Sequence, residues 1–513
     1  MKQYTMKILI GTKKKDNKTK IINNNLNGKG TRDMKYLKRI LSFLLAAILL
    51  TGIMSGCTQE VKLDPDNPIT ITIWHYYNGV VLNAFEAAIK EFNETIGTEK
   101  GIIVESSGIG SVGDLENAVM ASANNEIGSM KMPNIFAAYA DTAYRAEQLG
   151  LLADLEEYFS KKEQGEYLDS YIEEGRIGLH GELRIFPVAK ATEVMIINET
   201  DWLPFAEANG LSYDSLNTME GLANTSRLYY NWTAEETGVG KSFFGRDGMA
   251  NLFITASKEF GTEIFNVKEG KAKIDINKDV MRKIWDSYYV PYISGYFSSY
   301  GRFRSDDAKV GDILGYVGST SSALYFPTEV TTDDAVYPIG AKVLPAPLFE
   351  GGTKIMVQQG AGMVVVKSTA EEEYASLLFL KWFTEVDNNI IFSSISGYMP
   401  VKKEAINYDI IKSKAVEAEI AFTAITDETL RIAIDGVNTS GLYTNKAFTG
   451  GVEARAILEN HLQDKAAADR EAVVGLIDNG TAHEQAVAQF NTDENFNNWL
   501  EDFTNQLNEA AKQ

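Results

Sequence analysis

Residues 133–159 read PNIFAAYADTAYRAEQLGLLADLEEYF. A short apolar run, Ile135 to Ala138, has the length and composition of a buried strand. It gives way to a segment whose apolar residues fall at helical spacing. The same alternation occurs upstream. ITITI at 69–73 predicts a first strand, and NAFEAAIKEFNE at 83–94 predicts a helix with Phe85, Ile89 and Phe92 on one face. GIIVESS at 101–107 predicts a second strand and DLENAVMASANN at 114–125 a second helix. PNIFAAYA is then the third strand, with DTAYRAEQLGLLADL as the helix after it. Strand and helix in strict alternation argue for a parallel sheet flanked by helices, an α/β fold.

The chain before this region is of another kind. Lys35, Lys38 and Arg39 precede an apolar run, Ile40 to Leu50, in which only Ser42 is polar, and Ser55 and Gly56 stand just before Cys57. This is the pattern of a secretory signal, too short and one-sided for a transmembrane span. Cys57 is the only cysteine in 513 residues, so no internal disulfide and no Cys-built metal site is possible. Residues 1–56 are therefore expected to be a leader, with Met34 a candidate for the true start. Residues 57–68, polar with two prolines, are expected to be a tether. Removing the leader takes away 12 basic and 2 acidic residues and leaves 457 residues with a net charge of −31. Such a field repels nucleic acid and anionic membrane surfaces, and otherwise keeps a protein soluble outside the cell.

Several motifs carry no chemistry. GIGSVG at 108–113 fits G-x-G-x-x-G, but no acidic residue follows at the second strand's expected end, where GSMKMPN stands at 128–134. The acidic runs at 156–157 and 371–373 fall on helical segments as solvated or first-turn charges. Four scattered histidines lack metal-ligand spacing. No catalytic residue, cofactor or metal is expected.

Met54-Ser55-Gly56-Cys57 resembles a bacterial lipobox, with Met54 in place of the usual Leu, Val or Ile; an ordinary signal with an incidental cysteine is the other reading. Together with IWHYYNG at 73–79 and residues 133–159, it looks like the extracellular solute-binding proteins of ABC importers, in particular the family 1 sugar-binding group. RIFPVAKATEVMIINETDW (184–202) resembles that family's first crossing between lobes, and GYVGSTSSALYFP (315–327) its small-residue loop after a buried strand. AKVLPAPLFEGGTKIMVQQGAGMVVVKSTAEEEYASLLFLKWFT (341–384) and FSSISGYMPVKKEA (392–405) resemble the later returns. The resemblance implies a two-lobed, type II periplasmic-binding-protein-like fold, each lobe a sheet flanked by helices, with ligand in the cleft. Lobe one is expected at 66–188 plus 357–398, and lobe two at 189–356 plus 399–513. It further implies a monomeric, non-enzymatic receptor. Lipid on Cys57 would anchor it to the outer face of a cytoplasmic membrane, Gram-positive by resemblance, and it would hand its solute to importer membrane subunits.

A sugar needs aromatic plates for its C–H faces and short polar groups for its hydroxyls. WHYYNG supplies these at a strand's C-terminal end, which in an open α/β sheet faces the crevice. His75, Tyr76, Tyr77 and Asn78 are the candidates there. Tyr139 and Asp141 end the third strand, and two roles are open to Asp141: hydroxyl acceptor, or N-cap of a helix starting near Thr142. Lys190 and Thr192 lie at the first crossing, Gln358, Gln359 and Gly360 at the second, and Tyr398 at the third. Trp232 is the candidate stacking plate of lobe two, Ser319 and Ser321 the hydroxyl donors, and Tyr443, in NTSGLYTN, a further ring. A polyamine, ferric-chelate or peptide ligand on the same fold, or a secreted carbohydrate-active enzyme using Asp141 and Glu193, are the competing readings.

Overall fold

The alternation of Ile and Thr at the start of the first strand sets one side chain in every two toward the interior, and Ile71 and Ile73 are fully buried. The computed structural model describes residues 61–512 apart from Val239. The leader and Cys57 lie outside the described residues. β1 (Ile69–His75) leads into helix α1 (Gly79–Phe92), then β2 (Ile102–Gly108), α2 (Val112–Ala123), β3 (Ile135–Ala138) and α3 (Ala140–Gln148). β1 pairs in parallel with both β2 and β3, as βαβ crossovers require. α1 is tied down by Val81, Phe85, Ile89 and Phe92 on one stripe. Burial of Phe85 alone stabilises by about 2–3 kcal/mol.

Two expectations shift. The third helix starts at Ala140 rather than near Thr142, so Asp141 sits in its first turn and Tyr139 holds the N-cap position without a side-chain cap bond. It also ends at Gln148. Gly150 takes φ +72° there, and the chain leaves the helix so that Leu152 can bridge to Val366. GIGSVG forms a turn into α2, capped by Ser111 and Asp114 in a reciprocal capping box.

The chain continues through β4 (Ile185–Phe186) and β5 (Glu193–Asn198), then β6 (Phe244–Arg246), β7 (Gly315–Ser319), β8 (Ala341–Pro345), β9 (Ile355–Val357), β10 (Gly362–Val365) and β11 (Gly441–Tyr443). The first sheet has the order β2-β1-β3-β10-β4, with β10 antiparallel to β3 and β4. The second has the order β8-β5-β7-β6, and a separate parallel pair joins β9 to β11. Each main sheet has its own hydrophobic core: one includes Phe85, Phe136, Phe379 and Phe392, the other Phe205, Phe253, Trp285 and Phe503. These are the two lobes of an α/β protein. Residues 62–513 form one compact unit.

Three chain segments pass between the lobes side by side. Lys190 exchanges backbone hydrogen bonds with Met399 at 3.0 and 2.6 Å, and Ala191 with Gln359 at 2.8 and 3.0 Å. Residues 190–191 are therefore the middle strand of a short three-stranded hinge. The C-terminal segment covers lobe two with a 28-residue helix, Gly451–Asp478, and a final helix, Asp493–Ala510. Among the described residues no helix is long and apolar enough to cross a membrane.

Candidate ligand-binding site

The C-terminal ends of β1 and β3 point at the second lobe. Past the end of β1 the side chains keep alternating. His75 is fully buried, stacked on Tyr77 at 5.2 Å and set edge-on to Phe85 at 5.2 Å. Its Nδ1 accepts the Tyr77 N–H at 3.1 Å. Burial lowers its pKa to about 4, so the ring is neutral. Tyr77 is also core, packed on Phe85 and Phe392. These two form the floor, and Tyr76 between them is half-buried above it.

Tyr76 has Tyr398 and Tyr139 as hydroxyl neighbours, and Tyr398 reaches Ser321 of lobe two. Burial holds all three phenols above their usual value, Tyr398 at about 12, so they remain neutral donors. Ser319 ends β7 and Ser321 lies in the turn after it, with their hydroxyls 3.0 Å apart. The turn at Thr320 lies directly on Gly397, where a side chain would collide with the Thr320 carbonyl. Asn78 is exposed, and its Oδ1 accepts the Tyr325 O–H at 3.2 Å from across the cleft.

Asp141 faces the start of helix Gly451–Asp478, and Gly451 leaves room for its carboxylate where a side chain would not. Its Oδ1 is buried without a hydrogen-bond partner. Burial raises the Asp141 pKa to about 6, against the pull of Arg455; Glu116, Glu453 and Glu174 push it further up. The space among Tyr139, Asp141, Glu174, Asn251, Asn445 and Arg455 is only about 30 Å³, room for about one water. This is a shut cleft, and a solute larger than water can enter only if the lobes part.

Other candidates sit elsewhere. Lys190 is 2% exposed; its Nζ donates to Glu174 Oε2 at 2.7 Å and to the Gly360 carbonyl at 2.9 Å, which makes it a hinge strut. Gln358 is buried and donates to Glu174 and the Ser170 carbonyl. Thr192 is buried beside them, its carbonyl accepting from Thr320 N–H and Gln359 Nε2. Gly360 holds φ +98° at the crossing. Gln359 accepts from Asn251, which also donates to Glu193 and accepts from Arg455. Glu193 is further closed off by an ion pair with Arg246. Trp232 is not brought to the cleft; it packs on Phe205 and Tyr229 inside lobe two. Tyr443 lies in β11 with Lys258 over its ring at 4.9 Å, and its carbonyl accepts the Gln358 N–H.

The structure thus gathers Tyr76, Asn78, Tyr139, Asp141, Ser319, Ser321 and Tyr398, with Gln359 at the edge. It adds Glu174, Asn251, Tyr325, Asn445 and Arg455, which sequence reasoning missed. Four are polar or charged residues in unremarkable helical or loop contexts, Tyr325 stands in the stretch GYVGSTSSALYFP, and only the fold assembles them.

Residues 87–424 match the family of bacterial extracellular solute-binding proteins. A search of the curated proteins finds no match. Among solved structures, the chain is similar to the cyclic α-maltosyl-1,6-maltose binding protein from Arthrobacter globiformis (TM-score 0.62, 17% identity, 87% of this chain and 100% of that one). It is similar to UgpB from Mycobacterium tuberculosis in complex with glycerophosphocholine (0.60, 17%, 86% and 99%). A third is the maltose/maltodextrin-binding domain MalE from Bdellovibrio bacteriovorus bound to maltotriose (0.57, 15%, 87% and 99%). At these identities the structural likenesses speak for the two-lobed fold, and the family match over residues 87–424 speaks for descent: the protein is a member of the bacterial extracellular solute-binding proteins.

Proposed function

We propose that the protein captures a sugar or short oligosaccharide in the cleft and delivers it to an ABC-type importer, held at the cell surface by lipid on Cys57. The observation that carries the sugar reading is the cluster of Tyr76 and Tyr139 at strand ends with Tyr398 at a helix end, ringed by Asp141, Ser321, Asn445 and Arg455. Rings offer faces to C–H groups; the carboxylate, amides and guanidinium offer acceptors and donors to hydroxyls. Maltotriose is bound by one of the similar structures. Arg455 beside Asp141 weighs against a polyamine, since it already balances that carboxylate. Opening and closing follow from the same geometry: a ligand touching both lobes only when they meet favours the closed form by that difference. Monomers suffice for this cycle.

The test is thermal unfolding against mono- and oligosaccharides, polyamines, ferric chelates and glycerophosphodiesters. A ligand at 100 times its Kd adds about 2.7 kcal/mol to the native state. A rise with one sugar class that disappears in Tyr76→Ala supports the reading. A rise with an amine or chelate alone overturns it. Lipidation is tested separately, by metabolic labelling with an alkyne fatty acid and its loss in Cys57→Ser.

A further inference from the structure

Behind the hinge, apart from the cleft, lobe two encloses a cavity of about 290 Å³, at the lower edge of the roughly 300–1,000 Å³ typical of small-molecule sites. Its walls are apolar: Leu252, Val343, Leu344, Ile355, Val357 and Ile432. Its two ends differ. The inner wall carries Arg246, ion-paired to Glu193, and Glu259, whose Oε2 accepts the Phe349 N–H at 2.8 Å. Arg246 is 5% exposed, and its Nε is buried with no hydrogen-bond partner. That nitrogen is closed in on every side, so the inner wall offers a ligand no free donor and the cavity body is apolar. The outer rim carries the exposed Lys354 and Arg431 with the half-buried Lys342, against Asp435 and the Glu428 that pairs with Lys342.

We propose that this cavity is a second ligand site, distinct from the cleft, for a small amphipathic monocarboxylate. The apolar body lies between Leu252, Val343 and Ile355. The carboxylate stays at the rim with Lys354 and Arg431, because Glu193 and Glu259 already occupy the inner wall and would repel an anion there. The apolar walls and the rim cations take no part in the cleft, so the site stands whatever the solute proves to be.

The experiment is calorimetric titration of the purified protein with octanoate, with octanol and octylamine as controls, alongside methyl NMR spectra. The expected result is saturable binding of the acid, with shifts at Leu252, Val343 and Ile355. The double variant Lys354→Glu/Arg431→Glu, whose changes are on the exposed rim, should weaken the acid by about tenfold or more and leave octanol unchanged. Ala346→Phe, which fills the cavity, should abolish both. No saturable binding of the acid, shifts confined to the cleft around Tyr76, or an affinity indifferent to charge reversal would each overturn the proposal.

Discussion

Glu174→Gln at the hinge removes the counter-charge of a buried ammonium. Lys190 is 2% exposed and the Glu174 side chain 8%. In the variant, Lys190 Nζ keeps the Gly360 carbonyl at 2.9 Å as its one acceptor of full strength. Breaking one side of a buried pair costs about 3–5 kcal/mol, because the remaining charge stays desolvated. Unfolding entropy of about 2.1 cal/mol/K per residue over roughly 450 residues makes 1 kcal/mol worth about 1 °C for cooperative unfolding. Tm should therefore fall by about 3–5 °C. Lys190→Met should cost a similar amount, since it strands the carboxylate with Gln358 alone. The double variant Glu174→Gln/Lys190→Met removes both charges, and its new amide oxygen can still accept from Gln358. It should be less destabilised than the sum of the singles by about 2 kcal/mol or more. Thermal and urea unfolding of the four proteins measure this. Additive effects, or a Glu174→Gln loss below about 1 kcal/mol, would refute the view that this pair holds the crossings together.

Gly360→Ala should destabilise by more than about 1 kcal/mol: φ is +98°, and a Cβ would meet the Ala189 carbonyl at 3.0 Å and Lys190 Cα at 3.2 Å; urea unfolding reads it. Asp141, held near 6 by burial, accepts hydroxyls best as a carboxylate, so solute affinity should fall as pH drops from 7 to 5. In Asp141→Asn the pH dependence should flatten at a uniformly weaker affinity. Trp232→Phe should cost about 1–2 kcal/mol of lobe-two stability through lost packing on Phe205, with solute affinity unchanged; affinity lost with stability kept would contradict the placement.

Periodicity made the first lobe legible. Ile71 and Ile73 announce β1, and Val81, Phe85, Ile89 and Phe92 announce α1, because burial of one face is a local pattern. The tyrosines at strand ends were legible for a related reason: the end of a parallel strand in an α/β sheet faces the crevice. Helix ends were less so. Gly150 stops α3 before the apolar pattern fades, since Leu152 and Leu155 remain buried outside any α-helix. Lys190 was read as a ligand candidate at a crossing, yet it is tied to Glu174, 16 residues away in a short helix that nothing in the local sequence marks. Trp232 shows the reverse error: a ring beside two others was read as a plate, but Phe205, from the preceding helix, completes a core around it. Arg455 and Asn251 meet Asp141 and Gln359 only through the packing of helices far apart in the chain.

Whether the tyrosines bind the sugar is read by calorimetric titration of residues 58–513 with the one sugar class that raises Tm, in the native protein and in Tyr76→Ala and Tyr398→Ala. One saturable site is expected in the native protein, with a loss of about tenfold or more in each variant, near 1.4 kcal/mol apiece. Equal affinity in all three proteins, or no heat with any sugar, would contradict a tyrosine-lined carbohydrate site in this cleft.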